Sequence, residues 1–337
     1  MPESFKIIKL NFTSPLHIGE IGIGLEESSL ILHSDTIFNA ICNALAKLYG
    51  RDWVTDFLRN FEAKPPFRIS SGFPFTGENL YFPKPMSRAN IHADLLQDYS
   101  KKLKKTNYLT KGFFEKWIAG EELSEEDIKD ITEDEAAKDY DDKYSGFGTE
   151  FLLPKVSISR KSAESNIYFL GSVRFKEKSG IWFILDCSSK EWENRVLSAL
   201  RLLQHDGIGG KRTWGYGSFS LEEENLYLKL PDSGAYLLLS LFYPKENEDP
   251  TADEKQLFSD KNARWGFSLR GGYAYPYSSR SSSQKPQRLF IKEGSIFEKK
   301  PEGKLIEYDS DLEGIEKLYH YGFAYSIPIS IIGGEKA

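Results

Sequence analysis

Residues that ligate metals or carry redox chemistry are scarce in this 337-residue chain, which has 2 Cys, 2 Met and 5 His. Cys42 and Cys187 stand in apolar contexts far apart in sequence, which excludes a disulfide framework or a Cys-rich zinc site and fits a reducing cytoplasm. His17, His33, His92, His205 and His320 never form an HxH or HxxxH pair, so local spacing offers no metal site. Nothing points to a cofactor. Long hydrophobic runs are missing too: no window approaches the roughly 18 apolar residues of a membrane span, and the opening MPESFKIIKL lacks the basic flank and apolar core of a signal peptide. The expectation is a soluble cytoplasmic protein with no membrane partner.

Excess positive charge is also absent. Lys and Arg number 44 against 50 Asp and Glu, a net charge of −6, which taken as an average argues against a nucleic-acid partner. The average hides an uneven chain. Residues 121–142 hold twelve acidic residues against two Lys, a net −10, which leaves +4 for the rest. Residues 261–292 carry seven Lys or Arg and no acid, interleaved with Trp265, Phe267, Tyr273, Tyr275 and Tyr277. Basic side chains among aromatics suit single-stranded nucleic acid, where charge follows the backbone and rings hold bases. They equally suit an acidic protein neighbour. Aromatics are abundant throughout at 14%, as in β-rich folds.

The length suggests two domains. Residues 5–12, FKIIKLNF, read as a strand. The spacing of Ile37, Ile41, Leu45 and Leu48 predicts an amphipathic helix closed by Gly50, with Asp35 as its N-terminal cap. Residues 89–144 read as a helical insertion. After it come strands at Ile167–Phe175 and Ile181–Leu185, joined as a hairpin by KEKSG, then a helix at Lys190–Gln204, a Gly-rich loop and a strand at Tyr216–Leu221. That βαββαβ order is that of a ferredoxin-like or RRM-like sheet with helices on one face. The fold class expected is α+β with antiparallel sheets in tandem: a first domain over 1–224, and a second β-rich, RRM-like domain over 225–337. Strands of the latter are predicted at Ala235–Tyr243, Ala263–Leu269, Gln287–Ile291 and Tyr321–Ile332.

The segment GIGGKRTWGYG, Gly207 to Gly217, is the most informative stretch. It fails as a Walker A loop, because His205 and Arg212 stand where a Gly and a Ser or Thr are needed. It fails as a dinucleotide fingerprint because Arg212 replaces the third small residue and a helix precedes it. What remains is a loop whose Gly207, Gly209, Gly210 and Gly215 let a phosphodiester approach the backbone, with Lys211 and Arg212 for phosphates and Trp214 and Tyr216 to stack on bases. The bland alternative is a helix cap and bulge with solvated basic residues. A second basic run, Lys155 to Lys161, alternates so that one strand face carries Lys155, Ser157, Ser159 and Lys161, with Arg160 beside them. That pattern suits a sugar-phosphate track or an ordinary solvated face. A catalytic set is missing: His17 or His33 would serve RNA 2′-OH attack only if partners met them in space.

In order along the chain, LHIG at 16–19, SDTIFNAICNAL at 34–45, LYFPKP at 80–85, the Gly-rich loop, RGGY at 270–273 and EGSIF at 293–297 resemble the RAMP superfamily of CRISPR-associated proteins. Within it they resemble the Cas-five-like subunit family of type III-A effectors. The resemblance implies a non-catalytic subunit that binds the 5′ handle of the guide crRNA and joins the large polymerase-type subunit to the backbone RAMP subunit. On this chain it implicates the Gly loop, the run Lys155 to Lys161, His17, Ser34 and Arg270. It also implies a thumb-like element, for which the insertion 89–144 is the candidate. Two other readings stay open: a metal-independent repeat-processing endoribonuclease using His17 or His33, and a protein adaptor without RNA contact.

Overall fold

The computed structural model describes residues 2–19, 25–26, 28–134, 144–159, 164–246, 253–274, 283–309 and 317–332. Its first part runs β1 (Glu3–Phe12), α1 (Ser34–Tyr49), α2 (Arg51–Phe61), β2 (Phe67–Ile69), β3 (Phe73–Thr76) and β4 (Asn79–Pro83). Next come β5 (Asn90–Ile91), α3 (Ala93–Lys104), β6 (Tyr108–Thr110), α4 (Lys111–Ala119), β7 (Glu122–Leu123) and α5 (Glu125–Glu133). Then follow β8 (Tyr144–Ser145), β9 (Gly148–Ile158), β10 (Ser165–Phe175), β11 (Ser179–Cys187), α6 (Lys190–Asp206) and β12 (Phe219–Leu228).

The main sheet has the order β12-β1-β11-β3-β4-β6, with β2 pairing on β11. Alternation along its central strands feeds two cores. Ile8 and Leu10 of β1, with Ile181, Phe183 and Leu185 of β11, face α1 and α6, while Ile7, Trp182 and Ile184 enter a second cluster on the opposite side. A strand covered on both faces carries apolar residues at adjacent positions, as Ile7 and Ile8 do in FKIIKL. The first four strands of that order with α1 and α6 on one face are the ferredoxin-like arrangement, and β3 is its second strand. Ile167–Phe175, expected from the sequence to be that strand, lies in a different sheet. β10 instead pairs with β9, in register from Ser165↔Ile158 to Phe175↔Gly148, and the KEKSG turn links it to β11 without pairing the two. β3 was hidden because Pro74 and flanking glycines break its pattern, and Gly180 lets β11 lie close on β1, where a Cβ would fall 2.2 Å from the Leu10 carbonyl oxygen.

The insertion is helical, as the spacing predicts. α4 lays Phe114 on Phe82 of β4, ring centroids 4.3 Å apart, and α5 begins with a capping box between Ser124 and Asp127. Its helices supply Leu103, Trp117, Ile118, Ile128 and Ile131 to the second core. In α1, Ile37, Ile41 and Leu45 are buried but Leu48 is exposed.

The rest of the chain is β13 (Ala235–Leu238), β14 (Phe267–Arg270), β15 (Tyr273–Ala274), β16 (Ser283–Gln284), β17 (Arg288–Ile291), β18 (Ile296–Phe297), β19 (Leu305–Asp309), β20 (Lys317–Tyr321) and β21 (Ser326–Ile329). β13 sits between β18 and β21, and the others form the antiparallel pairs β14–β17, β15–β16 and β19–β20. The predicted strand Ala235–Tyr243 stops at Leu238, after which the Ser240 hydroxyl donates to the Phe323 carbonyl at 3.0 Å. No α-helix follows α6 among the described residues. No helix among them is long and apolar enough to cross a membrane.

Candidate nucleic-acid interface

The Gly loop leaves α6 at Gly207 and is hung on the segment after β1. Gly210 N–H donates to the His17 carbonyl at 2.8 Å, Gly217 N–H to the Pro15 carbonyl at 2.8 Å, and Ile208 N–H to the Gly217 carbonyl at 3.0 Å. Two glycines are required by that closure. A Cβ at Gly207 would lie 2.3 Å from the Tyr216 carbonyl oxygen, and one at Gly209 would lie 2.7 Å from that of His17. The outward part is the 3-10 turn Arg212–Trp214, closed by Gly215 at φ +81 with open space around it. Lys211 precedes this turn at φ 57, a left-handed conformation that non-glycine residues rarely adopt and that tends to be held at functional sites.

The two basic runs meet here. Lys211 Nζ lies 4.9 Å from the centroid of the Trp214 ring and Lys155 Nζ of β9 lies 5.4 Å from it. Trp214 stays 47% exposed. β9 and β10, with the short β8 on the other edge of β9, form a ribbon whose Lys155 and Tyr168 sit opposite one another, while the other face exposes Val156, Ile158, Ile167 and Phe169. Ser159 is exposed, its N–H donating to the Glu164 carbonyl at 2.9 Å. Arg160 and Lys161 lie outside the described residues. His17 ties ribbon to loop: its buried ring meets the Gly171 carbonyl through Nδ1 at 2.7 Å and packs over Gly210. Burial lowers its pKa, and the nearby Lys211 charge adds to that.

Four residues that the sequence singles out lie inside the structure. Tyr216 is buried, so its ring is covered within the structure. Ser34 is fully buried, its hydroxyl accepting from Leu241 N–H at 3.1 Å and its own N–H donating to the Ser71 hydroxyl at 2.9 Å. Arg270 is buried against Asp35, donating to the two carboxylate oxygens at 3.1 and 3.0 Å. Asp35 therefore pairs with a cation and does not cap α1; the cap position is His33. Burial alone would raise the Asp35 carboxyl, but the Arg270 guanidinium overrides it and holds the group well below the usual carboxylate range. His33 is buried and meets Glu293 through Nδ1 at 2.9 Å. The basic segment divides as well: Lys285 joins Arg270 inside, whereas Lys261, Arg264, Arg288 and Lys292 are exposed. Tyr275 and Tyr277 lie outside the described residues.

A cleft of about 1170 Å³ connects these features. It starts at His17 and Ile208–Arg212, passes Asn39 and Asn43 on the outer face of α1, and ends at Gly271, Gly272 and His320. Its lining is basic at the loop, through Lys211 and Arg212, while Trp214 and Lys155 stand outside it on the far side of Lys211.

Comparison with known proteins matches the chain and its fold to a family. Residues 9–220 match the model of the RAMP superfamily, and residues 231–329 match the CRISPR Csm4 C-terminal domain. Relatives named "CRISPR system Cms protein Csm4" include one from Thermococcus onnurineus, 27% identical over 312 residues and covering 90% of this chain and 93% of that protein. Another, from Methanocaldococcus jannaschii, is 27% identical over 340 residues and covers 86% and 84%. The fold matches a chain of a Csm1-Csm4 cassette crystallised with cA4 at TM-score 0.63 and 22% identity, covering 98% of this chain and 100% of that one. It also matches a chain of a Csm3-Csm4 subcomplex of the type III-A interference complex at TM-score 0.58 and 19% identity, covering 96% and 99%. The ferredoxin-like sheet, the Gly loop after its second helix and the matched residues agree: this chain belongs to the RAMP superfamily and carries a Csm4-type C-terminal domain.

Proposed function

We propose that this protein is a non-catalytic, RNA-binding subunit of a type III-A CRISPR complex, holding the 5′ handle of the guide crRNA in the groove over α1. In this reading it bridges a large polymerase-type subunit and a backbone RAMP subunit in the cytoplasm. The observation that carries it is the convergence of Lys211, Lys155 and the exposed Trp214 beside the Gly loop, whose Lys211 also lines the groove. Two cations over a half-exposed indole suit a single strand, whose phosphates can draw the lysines off the ring and whose bases can then stack on it. The partners follow from the relatives, whose solved complexes are of Csm1 with Csm4 and of Csm3 with Csm4. The chain is read as two domains dividing near residue 224, a reading supported by the separate family matches on either side.

The described helices of the insertion are packed into the second core. The thumb-like role is better supported for the β9–β10 ribbon, which carries exposed apolar side chains on one face and Lys155 on the other. Non-catalysis is supported by the histidines: His17 and His33 are buried, with Nδ1 engaged by Gly171 and Glu293 respectively.

The test is handle-RNA binding by Lys211→Ala with Arg212→Ala across a salt series. Loss of two phosphate contacts to a single strand makes the slope of log affinity against log salt shallower by about 1.4. Unchanged affinity and slope remove the Gly loop from the interface.

A further inference from the structure

Beneath the far end of the groove lie three polar side chains that the RNA-facing loop does not use. Arg270 is 2% exposed, Lys285 8% and His320 1%, and all three line the cleft with Asp35 and Cys42. Each is fixed by a partner. Asp35 takes Arg270, the Tyr319 carbonyl accepts from Lys285 Nζ at 2.7 Å, and the Tyr308 hydroxyl lies 3.2 Å from His320 Nδ1. Among the described residues, two buried cations, Arg270 and Lys285, share one carboxylate, Asp35, which is positive charge held where desolvation is costly.

The imidazole adds a directed donor. Burial, helped by the Lys285 charge, lowers the His320 pKa to about 3, so the ring is neutral. The tautomer in which Tyr308 donates to Nδ1 puts the ring proton on Nε2, and that atom is buried with no hydrogen-bond partner among the described residues. Native folds rarely leave such a group without an acceptor. On the groove side the wall is Gly271 and Gly272, and a Cβ at Gly272 would meet nothing within 4 Å. The Gly272 carbonyl is itself held by Lys285 N–H at 2.9 Å, so the wall and the ammonium are set by one residue.

We propose that this pocket holds one phosphate group, which accepts from the Lys285 ammonium and from His320 Nε2–H while Arg270 and Lys285 supply the balancing charge. A phosphate matches on count and sign: it offers several acceptor oxygens, and its negative charge offsets the buried positive charge. For its source the proposal rests on the reading of the groove as an RNA track, with this phosphate at the opposite end of the strand from the one at Lys211 and Arg212. A free phosphate would present the same chemistry.

The test separates the two sources. The full-length chain with ¹⁵N-labelled histidine is titrated with inorganic phosphate, the His320 resonances being identified by their loss in His320→Phe. A saturable shift of those resonances is expected, weakened about tenfold in Lys285→Met by the loss of a charge-assisted hydrogen bond. In parallel, handle RNA carrying single methylphosphonate linkages is bound to wild type and to Lys285→Met. One linkage, distinct from any that couples to Lys211, is expected to cost wild type about tenfold and the variant nothing. Phosphate binding with no coupled linkage keeps the site and makes free phosphate its source. Phosphate binding in a chain that does not bind RNA ends the RNA reading and leaves the pocket standing. No shift at saturating phosphate and no coupled linkage overturns the proposal, and the wild-type titration decides this even if a variant fails to fold.

Discussion

The Asp35 carboxylate and the Arg270 guanidinium, 235 residues apart in sequence, meet through two hydrogen bonds of 3.1 and 3.0 Å with both side chains buried. Arg270 Nη2 also reaches the Thr36 hydroxyl at 3.2 Å. The pair fastens the first turn of α1, one wall of the groove, to the end of β14, where the Gly271–Gly272 wall begins.

Breaking that pair leaves a buried charge. Asp35→Asn or Arg270→Met is expected to lower unfolding stability by about 3–5 kcal/mol, while the double variant costs much less than the sum. Denaturant titrations of the four proteins check this. Additive losses would mean that the two side chains act independently.

Trp214 is exposed and outside every hydrophobic cluster, so its removal leaves folding intact. Trp214→Ala is expected to weaken RNA binding by about 1–3 kcal/mol, the worth of a stacked base. The salt slope should stay as in wild type, since no phosphate contact is removed. A shallower slope with unchanged low-salt affinity would instead make Trp214 a mere support for the two lysines.

Lys285 gives the fold a distinctive pH response. Burial, opposed by the Asp35 charge, lowers its pKa from the ordinary 10.5 to about 8. Below pH 8 the group is protonated both folded and unfolded and contributes no slope. Between there and 10.5 only the unfolded chain holds the proton, so stability rises with pH, by up to about 3 kcal/mol. The difference in stability between wild type and Lys285→Met, followed from pH 7.5 to 10, isolates this contribution. Parallel curves contradict it.

Much of this fold was legible in the chain. The 3.6-residue spacing marked α1 and α6, and low Gly and Pro content with helical spacing marked the insertion. The run FKIIKL marked β1, whose two faces each enter a core. What misled was β3, a central strand of the sheet containing Pro74, and the turn at KEKSG, whose flanking strands pair elsewhere. Turn chemistry reports a reversal of direction, not which strands share hydrogen bonds.

The site was legible only in part. Lys155, Lys211 and Trp214 were marked by type and came together as a group. Ser34, Tyr216 and Arg270 carry the same polar labels but sit inside, and burial is not written in residue type. The cluster of Lys285, His320 and Asp35 was missed because its members come from α1, β20 and the segment between β16 and β17, with no shared local pattern. One signal was available: Lys285, Arg270 and the two adjacent glycines sit in a segment without any acidic residue, which asks where its charge is balanced.

The central claim is that RNA lies at the meeting of the ribbon and the Gly loop. Ultraviolet crosslinking of the complete complex with its own RNA, followed by peptide mapping on this chain, tests it most directly. Crosslinks are expected on the peptides containing Trp214 and Lys155, joined to handle nucleotides. Recovery of RNA in the complex with crosslinks on this chain confined to other surfaces, or with none, contradicts it.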